Sequence, residues 1–521
     1  MGVWGYGSVG VWEYGSVGER TPILPPLPYP HTLLKAVVSK KIIIAGGGIS
    51  GLSTAYFIQE QLASLGNPVD CYLIEVRERL GGVILTETID GFVIEGGPDS
   101  FLSTKPWALE LCQKLGLTDR LVGTREDQHK TYILSRGRLE ELPEGLTLMI
   151  PTQIKPFLRS SLISLPGKIR MGLDLLLPRK AGREDESIGA FVRRRLGREV
   201  LERIAEPLLG GIYAGQIDQM SLQATFPNFR TLEQEYRSLI WGTLRKRREI
   251  QRSLKEKNSS KWTLFVTLQG GLTELVQTLT ARLNRVSFVT GKPVVRIQPS
   301  SDSSSPQPVY SVTLANGETF QADVVVLATP AYITADLIEN LNSSLAALLR
   351  EIPYTSTVTI SLGYKKSDFH LLPSGFGFVV PRVENRRILA STWTSNKYPY
   401  RAPDDKVLLR CYIGGANRED LVSLEDRVLI QIAREELKEI AGITQEPVLT
   451  RVYRWEKVMP QYRIGHLDRL TTLEKLLSQH PGLFLTGNAY RGPGIPDCIH
   501  SGALTAEKVL KYLQLSSGSQ T

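Results

Sequence analysis

The sequence predicts an α/β protein built on a doubly wound nucleotide-binding sheet that is discontinuous along the chain, with a mixed-sheet domain and a helical domain set into it. Three observations carry this. A G-x-G-x-x-G run, Gly46, Gly48 and Gly51, lies between the β-branched run Ile42–Ile44 and the apolar helical spacing of 52–60. A second strand, 71–74, ends at the acid Glu75. A further strand-glycine-helix unit, "LFLTGNAYRGPGIPDCIHSGALTAEKVL", closes the chain at 483–510.

Each element has a local reason. Gly46 allows the tight turn, Gly48 lets the backbone approach a pyrophosphate, and Gly51 lets the helix pack on the strand. The helix start offers free N–H groups and a positive dipole end to an anion. Glu75 lies 24 residues past Gly51, where an acid accepts hydrogen bonds from a ribose and disfavours a 2′-phosphate. NADP is thereby disfavoured, while NAD and FAD both remain open. Two further glycine turns follow, at "ERLGG" and at "EGGPDSF", and suggest a cofactor longer than a mononucleotide. Residues 107–117 read as an amphipathic helix ended by Gly116. The segments 264–275, 292–297, 309–317 and 322–330 read as strands and turns, with "ANG" as a hairpin turn. The stretch 357–364 alternates, which predicts a half-exposed strand, and 375–381, 388–393 and 407–415 continue an antiparallel sheet. "EDRVLIQIAREELKEIAG" is an amphipathic helix closed by Gly442.

Bulk properties narrow the function classes. The 521 residues carry a net charge of +9 at ordinary charge density. That permits contact with an anionic membrane. The basic run at 245–257 has no interleaved aromatics, so it reads as a solvated face, and nucleic acid is not expected as a partner. The four cysteines are scattered and the six histidines form no ligand cluster, so neither a disulfide framework nor a metal site is expected. No uncharged apolar run approaches the roughly 18 residues of a membrane span. The stretch 145–183 nevertheless mixes Leu, Ile and Phe with Lys155, Arg159, Lys168 and Arg170, and has no acid between Pro151 and Leu173. It suits either an interfacial contact with anionic lipid or a helix-turn segment packed on the protein. Residues 1–38 hold a glycine-rich eight-residue repeat and "PILPPLPYP", and are expected to form a disordered extension. One reading starts the functional chain near Val37. Mass spectrometry of the native N-terminus tests it, and a peptide containing Trp4 would exclude it.

Together these motifs resemble the flavin amine oxidase superfamily and, within it, the oxygen-dependent, flavin-containing protoporphyrinogen oxidases. The resemblance runs from about Lys40 to about Leu513. It rests on "GGGISGLSTAY", "ERLGG", "EGGPDSF", the diagnostic 191–227 segment, "YPYRAP" followed by "YIGG", and "GNAYRGPGIPDCIHSG". It implies one non-covalently held FAD. Gly46, Gly48, Ile49, Ser50 and Gly51 would hold the pyrophosphate and Glu75 the adenosine ribose. Arg79, Gly82 and Val83 would line the same path, and Val294 would meet the adenine. Gly97, Pro98, Asp99 and Ser100 would approach the flavin, and Trp455, Gly494, Ile495 and Pro496 would also lie at the flavin end of the cofactor. The substrate pocket would map onto Gly210, Gly211, Val379, Thr392 and Tyr412, with Arg125 either placed for a propionate or left as a surface charge.

The implied reaction takes six electrons from protoporphyrinogen IX in three rounds, with flavin N5 as hydride acceptor and O2 reoxidising the flavin to give hydrogen peroxide. It belongs to haem and chlorophyll biosynthesis. No catalytic side chain is identified. The implied domains are 39–119, 265–330 and 452–521 for FAD, 120–225 as a helical membrane-contacting domain, and 226–264 with 331–451 for substrate. The expected location is cytoplasmic, or peripheral on the cytoplasmic side of a membrane, and a homodimer is left open. Thr392 is more polar than the leucine of plant-like members, and "TSTVTISL" lacks the lysine that amine oxidases carry near N5. The rival readings are a coproporphyrinogen III oxidase or another superfamily oxidase, an NAD-linked dehydrogenase, and a flavoprotein without turnover.

Overall fold

A computed structural model of the protein describes residues 39–62, 69–128, 130–147, 149–182, 184–256, 262–300, 309–369 and 374–518. The expectation for residues 1–38 lies outside the described residues.

The Ile42–Ile44 run forms the centre of a five-stranded parallel sheet. Its order is Val286–Val289, Val69–Ile74, Lys40–Ala45, Val324–Leu327 and Leu483–Leu485. Both faces are covered. Ile42 and Ile44 enter one core with the helices Ile49–Leu62, Thr273–Arg282 and Ile495–Gly518. Ile43 and Ala45 enter a second core, under the antiparallel three-stranded sheet of Val294–Pro299, Tyr310–Leu314 and Thr319–Ala322 and three helices between 331 and 477. Burial on both faces explains why this strand is uniformly apolar rather than alternating. The sheet draws its strands from both ends and the middle of the chain, as the discontinuous reading requires.

A second sheet has seven strands, in the order Leu449–Pro460, Tyr354–Lys365, Lys406–Gly414, Ala390–Thr392, Gly377–Val379, Thr131–Ser135 and Arg138–Glu141. All neighbours are antiparallel except Gly377–Val379 with Thr131–Ser135. Two expectations change here. Strands Thr131–Ser135 and Arg138–Glu141 fall inside the 120–225 segment expected to be helical, because Thr131–Ser135 extends the sheet from its Gly377–Val379 edge. The strand Tyr354–Lys365 is buried over most of its length rather than half exposed. Val358, Ile360 and Leu362 face the helix Asp426–Ala441, while Thr359 and Ser361, also buried, face the opposite way. Alternation of apolar with small polar residues therefore marks two buried faces of different chemistry.

The helices between 154 and 256 share one core that includes Phe191, Ile204, Phe229 and Leu239. The helices Pro227–Tyr236 and Leu239–Glu256 thus pack with the helical body, although 226–264 was expected with the substrate-binding part. Residues Leu201–Gly210 form a wide helical turn that contains Pro207. Among the described residues no helix is long and apolar enough to cross a membrane.

Candidate functional site

The glycine loop after Lys40–Ala45 is a cradle with one open side. Gly46 takes φ +112°, and a Cβ there would lie 2.8 Å from the carbonyl group of Ala328. A Cβ on Gly51 would lie 2.0 Å from the Gly46 oxygen. Both positions need glycine for the fold itself. Gly48 differs: a Cβ there would meet only the Gly82 Cα, at 4.0 Å. Its bareness serves no packing in the chain, and it keeps space clear beside the first turn of helix Ile49–Leu62, which holds Ile49, Ser50 and Gly51. The N–H groups of that turn have no acceptor within the helix.

The Glu75 carboxylate is buried behind this loop and accepts from the Gly47 N–H at 2.7 Å and the Arg77 N–H at 3.1 Å. Each oxygen keeps a lone pair for another donor. Val294 lies close by, since Lys292 N–H donates to the Glu75 carbonyl at 3.3 Å. Arg79 turns onto its own loop, donating to the carbonyls of Gly82 at 2.8 Å and Ile84 at 3.2 Å. It holds the Gly82–Val83 turn in shape rather than reaching outward.

The closing unit joins the same cradle. Helix Ile495–Gly518 crosses Ile49–Leu62 so closely that a Cβ on Gly502 would lie 2.9 Å from the Ser50 carbonyl oxygen. Its first turn carries Ile495 and Pro496 after Gly494, and is anchored by Asp497 to Lys105 at 2.6 Å. Two helix starts therefore flank one region. An open glycine face, a buried carboxylate with spare acceptor capacity and paired helix starts fit a dinucleotide with a pyrophosphate.

The 96–100 loop is clamped to the seven-stranded sheet. The Gly96 carbonyl accepts from Thr359 Oγ1 at 2.9 Å, Trp455 Nε1 at 2.8 Å and Arg410 Nη2 at 3.1 Å. Arg410 Nη2 also donates to the Gly97 carbonyl. A Cβ on Gly97 would fall on the Val83 oxygen, so the two glycine turns touch. Beyond Pro98, Asp99 accepts from Ser100 Oγ at 2.7 Å and pairs with Lys397 at 3.2 Å. Burial pushes the Asp99 carboxyl up, but Lys397 and Arg410 outweigh it and hold the group at about 2. Burial opposes the charge on Lys397, yet Asp99 keeps it protonated above the usual lysine range.

Strand alternation gathers the expected pocket residues. On Lys406–Gly414, the side chains of Val407, Leu409, Cys411 and Ile413 pack toward helix Asp426–Ala441, and Arg410 and Tyr412 take the other face. Thr392 pairs with Arg410 across the sheet, Val379 with Ala390, and Ala390 with Tyr412. Thr392 Oγ1 lies 3.4 Å from Tyr412 Oη. Gly210 and Gly211 end the wide turn, and a Cβ on Gly211 would meet nothing within 4 Å. The loop that follows is tied to the end of the same strand, as Ala416 N–H donates to the Ala214 carbonyl at 2.8 Å. Arg125 is brought near only through its backbone. Its N–H donates to the Lys397 carbonyl at 3.0 Å, but its guanidinium is half exposed and pairs with Asp127 at 3.1 Å.

Lys397, Arg410, Thr359 and the Gly96 carbonyl are absent from the sequence-derived site. For Arg410 a signal existed: a charged residue inside the apolar run "VLLRCYIGG" must be buried with a purpose. Among the described residues no group of His, Cys, Asp or Glu could hold a metal ion, and all four cysteines are buried and free.

The profile of the flavin containing amine oxidoreductase family matches residues 49–510. The chain is 39% identical over 475 residues to the coproporphyrinogen III oxidase of Bacillus subtilis, covering 91% of this chain and 98% of that one. It is 32% identical to the chloroplastic protoporphyrinogen oxidase of Oryza sativa subsp. japonica, covering 92% and 89%. A crystal structure from Exiguobacterium sp. 255-15, assigned provisionally as a protoporphyrinogen oxidase, superposes with a TM-score of 0.80 at 32% identity, covering 91% of this chain and all of that one. With the cradle, the clamped loop and these matches in place, the chain belongs to the flavin containing amine oxidoreductase family and is an FAD-dependent oxidoreductase.

Proposed function

We propose that the protein oxidises a porphyrinogen to the corresponding porphyrin, removing six electrons in three rounds, with O2 as final acceptor and hydrogen peroxide as product. The observation that carries this reading is the match, over nine-tenths of the chain, to relatives named for porphyrinogen oxidation. When bound, FAD supplies the two-electron acceptor for each round. The chain's own residues orient the reactants. Glu75 and the glycine cradle hold the dinucleotide, and Thr359, Trp455 and Arg410 fix the 96–100 loop. The face bearing Val379, Thr392 and Tyr412, capped by Gly210 and Gly211, receives a broad flat macrocycle. No side chain is assigned as a general base.

Protoporphyrinogen IX is the substrate expected from the sequence. Coproporphyrinogen III is the second reading. It is favoured by the higher identity to the relative so named, 39% against 32%. Anaerobic mixing of the flavin-loaded protein with each porphyrinogen tests the proposal. Loss of the oxidised flavin band, a two-electron event, followed by growth of porphyrin fluorescence once O2 is admitted supports it, and an unbleached flavin with both substrates refutes it.

We also propose a division of the chain into FAD-binding, helical and substrate-binding parts, with Thr131–Ser135 and Arg138–Glu141 in the substrate-binding sheet and Pro227–Tyr236 and Leu239–Glu256 in the helical body, and a peripheral location. The helices Ile154–Arg159 and Leu165–Gly172, with the turn that follows, expose Ile154 at 64%, Leu165 at 69%, Ile169 at 63% and Leu176 at 70%. Lys168 and Arg170 are held by nearby carbonyls, so Lys155 and Arg159 are the cations offered to an anionic surface. Co-flotation with anionic but not neutral vesicles, abolished by Leu165→Glu with Ile169→Glu, is the expected result. Equal flotation of the double variant would exclude this surface.

A further inference from the structure

Five ionisable side chains gather around the 96–100 loop: Arg401, Arg410 and Glu95 are buried, and Lys397 and Asp99 are each 14% exposed. Two pairs are evident. Arg401 meets Glu95 at 3.3 Å, and Lys397 meets Asp99 at 3.2 Å. Three cations face two anions here, and Arg410 helps hold Asp99 ionised but makes no salt bridge of its own among the described residues. Its Nη2 donates to the carbonyls of Gly96 and Gly97, which carry no net charge. Its Nε is buried without any hydrogen-bond partner, and the residue is only 3% exposed. A buried guanidinium with no direct ion pair and an unbonded N–H is costly. A fold retains one where a ligand brings the anion. Arg410 lies in register opposite Thr392, and its guanidinium sits 5.0 Å over the Tyr412 ring, so it is presented to the face that receives the macrocycle.

We propose that Arg410 is a specificity-determining residue that binds a carboxylate of the substrate at the deep end of the pocket, an inference that rests on the porphyrinogen reading above. The chemistry of the candidate substrates gives it consequence. Every pyrrole ring of coproporphyrinogen carries a propionate, so a carboxylate reaches the deep end in any orientation. Protoporphyrinogen carries propionates on two rings only, and vinyl groups on the others. A buried cation at the deep end selects the tetracarboxylate.

The test compares kcat/KM for coproporphyrinogen III and protoporphyrinogen IX in the wild type, Arg410→Gln and Arg410→Lys, each loaded with FAD. Loss of a charged hydrogen bond predicts that Arg410→Gln weakens coproporphyrinogen turnover about 10- to 100-fold, chiefly through KM. Protoporphyrinogen turnover also falls, because Arg410 holds the 96–100 loop, but by at least about tenfold less, so the ratio of the two kcat/KM values shifts, and Arg410→Lys keeps part of the preference. An equal fall for both substrates makes Arg410 structural and overturns the proposal. So does an unchanged substrate ratio with an altered flavin reduction potential, which assigns the cation to the flavin instead. If Arg410→Gln does not fold, the Lys variant alone decides by the same ratio. Turnover of neither substrate by the wild type refutes the proposed function. The affinities of the wild type and the Lys variant for the product porphyrins, read by flavin fluorescence, then still decide whether Arg410 discriminates four carboxylates from two.

Discussion

Replacing Gly48 with alanine separates cofactor binding from folding. The added methyl would meet one atom of the chain within 4.0 Å, the Gly82 Cα, and the residue does not occupy the left-handed region. The apo-protein is therefore expected to fold with a melting temperature close to wild type. The methyl does intrude on the space beside the first helical turn. Displacing a pyrophosphate enough to break two charged hydrogen bonds, at about 1.5–3 kcal/mol each, weakens FAD binding by about 3–6 kcal/mol, or roughly 10²- to 10⁴-fold. Gly51→Ala provides the contrast. Its Cβ would lie 2.0 Å from the Gly46 oxygen, so strand and helix must separate, and the apo-protein itself loses stability. The assay is FAD titration of each apo-protein by quenching of flavin fluorescence, paired with thermal melts. A Gly48→Ala protein that binds FAD as tightly as wild type, or melts as early as Gly51→Ala, would refute the reasoning.

Three further outcomes are expected. Trp455→Phe removes one of three donors on the Gly96 carbonyl, so the loss should be only about 1 kcal/mol in urea unfolding, and combining it with Thr359→Val should be non-additive. His466 is buried, stacked 4.2 Å from Tyr462 and bonded to the Tyr490 carbonyl, and burial lowers its pKa from 6.5 to about 4. Its folded state favours the neutral ring, so stability is complete above pH 6.5 and declines by about 3 kcal/mol toward pH 4; His466→Gln should flatten that part of the pH–stability curve. Arg195 is fully buried and bonds Asp174 and the carbonyls of Pro178 and Arg237, so Arg195→Leu should cost about 3–5 kcal/mol in unfolding measurements by stranding a buried carboxylate.

The parts of this protein legible in sequence are those whose chemistry is local. The cradle needs three glycines within six residues, a strand before them and a helix after, and the acid at the next strand end; all of it is contiguous. The helix Asp426–Ala441 and its Gly442 cap at φ +69° were likewise local. What was hidden depends on register between distant strands. Arg410 acquires its meaning from Gly96, 314 residues earlier in the chain, and from pairing with Thr392. Lys397 does so from Asp99, 298 residues earlier. Thr131–Ser135 could not be recognised as a sheet strand from a five-residue window, because what makes it one is the parallel neighbour Gly377–Val379. Arg125 shows the converse. Its backbone reaches the site, but the side chain finds Asp127 two residues away, and a local ion pair decides its direction.

The central claim is porphyrinogen oxidation by this site. Aerobic turnover of the FAD-loaded protein, with porphyrin fluorescence and oxygen uptake followed together, tests it most directly. Three oxygen molecules are expected to be consumed for each porphyrin formed, and the Arg410 proposal adds a preference for coproporphyrinogen III over protoporphyrinogen IX. Flavin-loaded protein that oxidises neither porphyrinogen would contradict it.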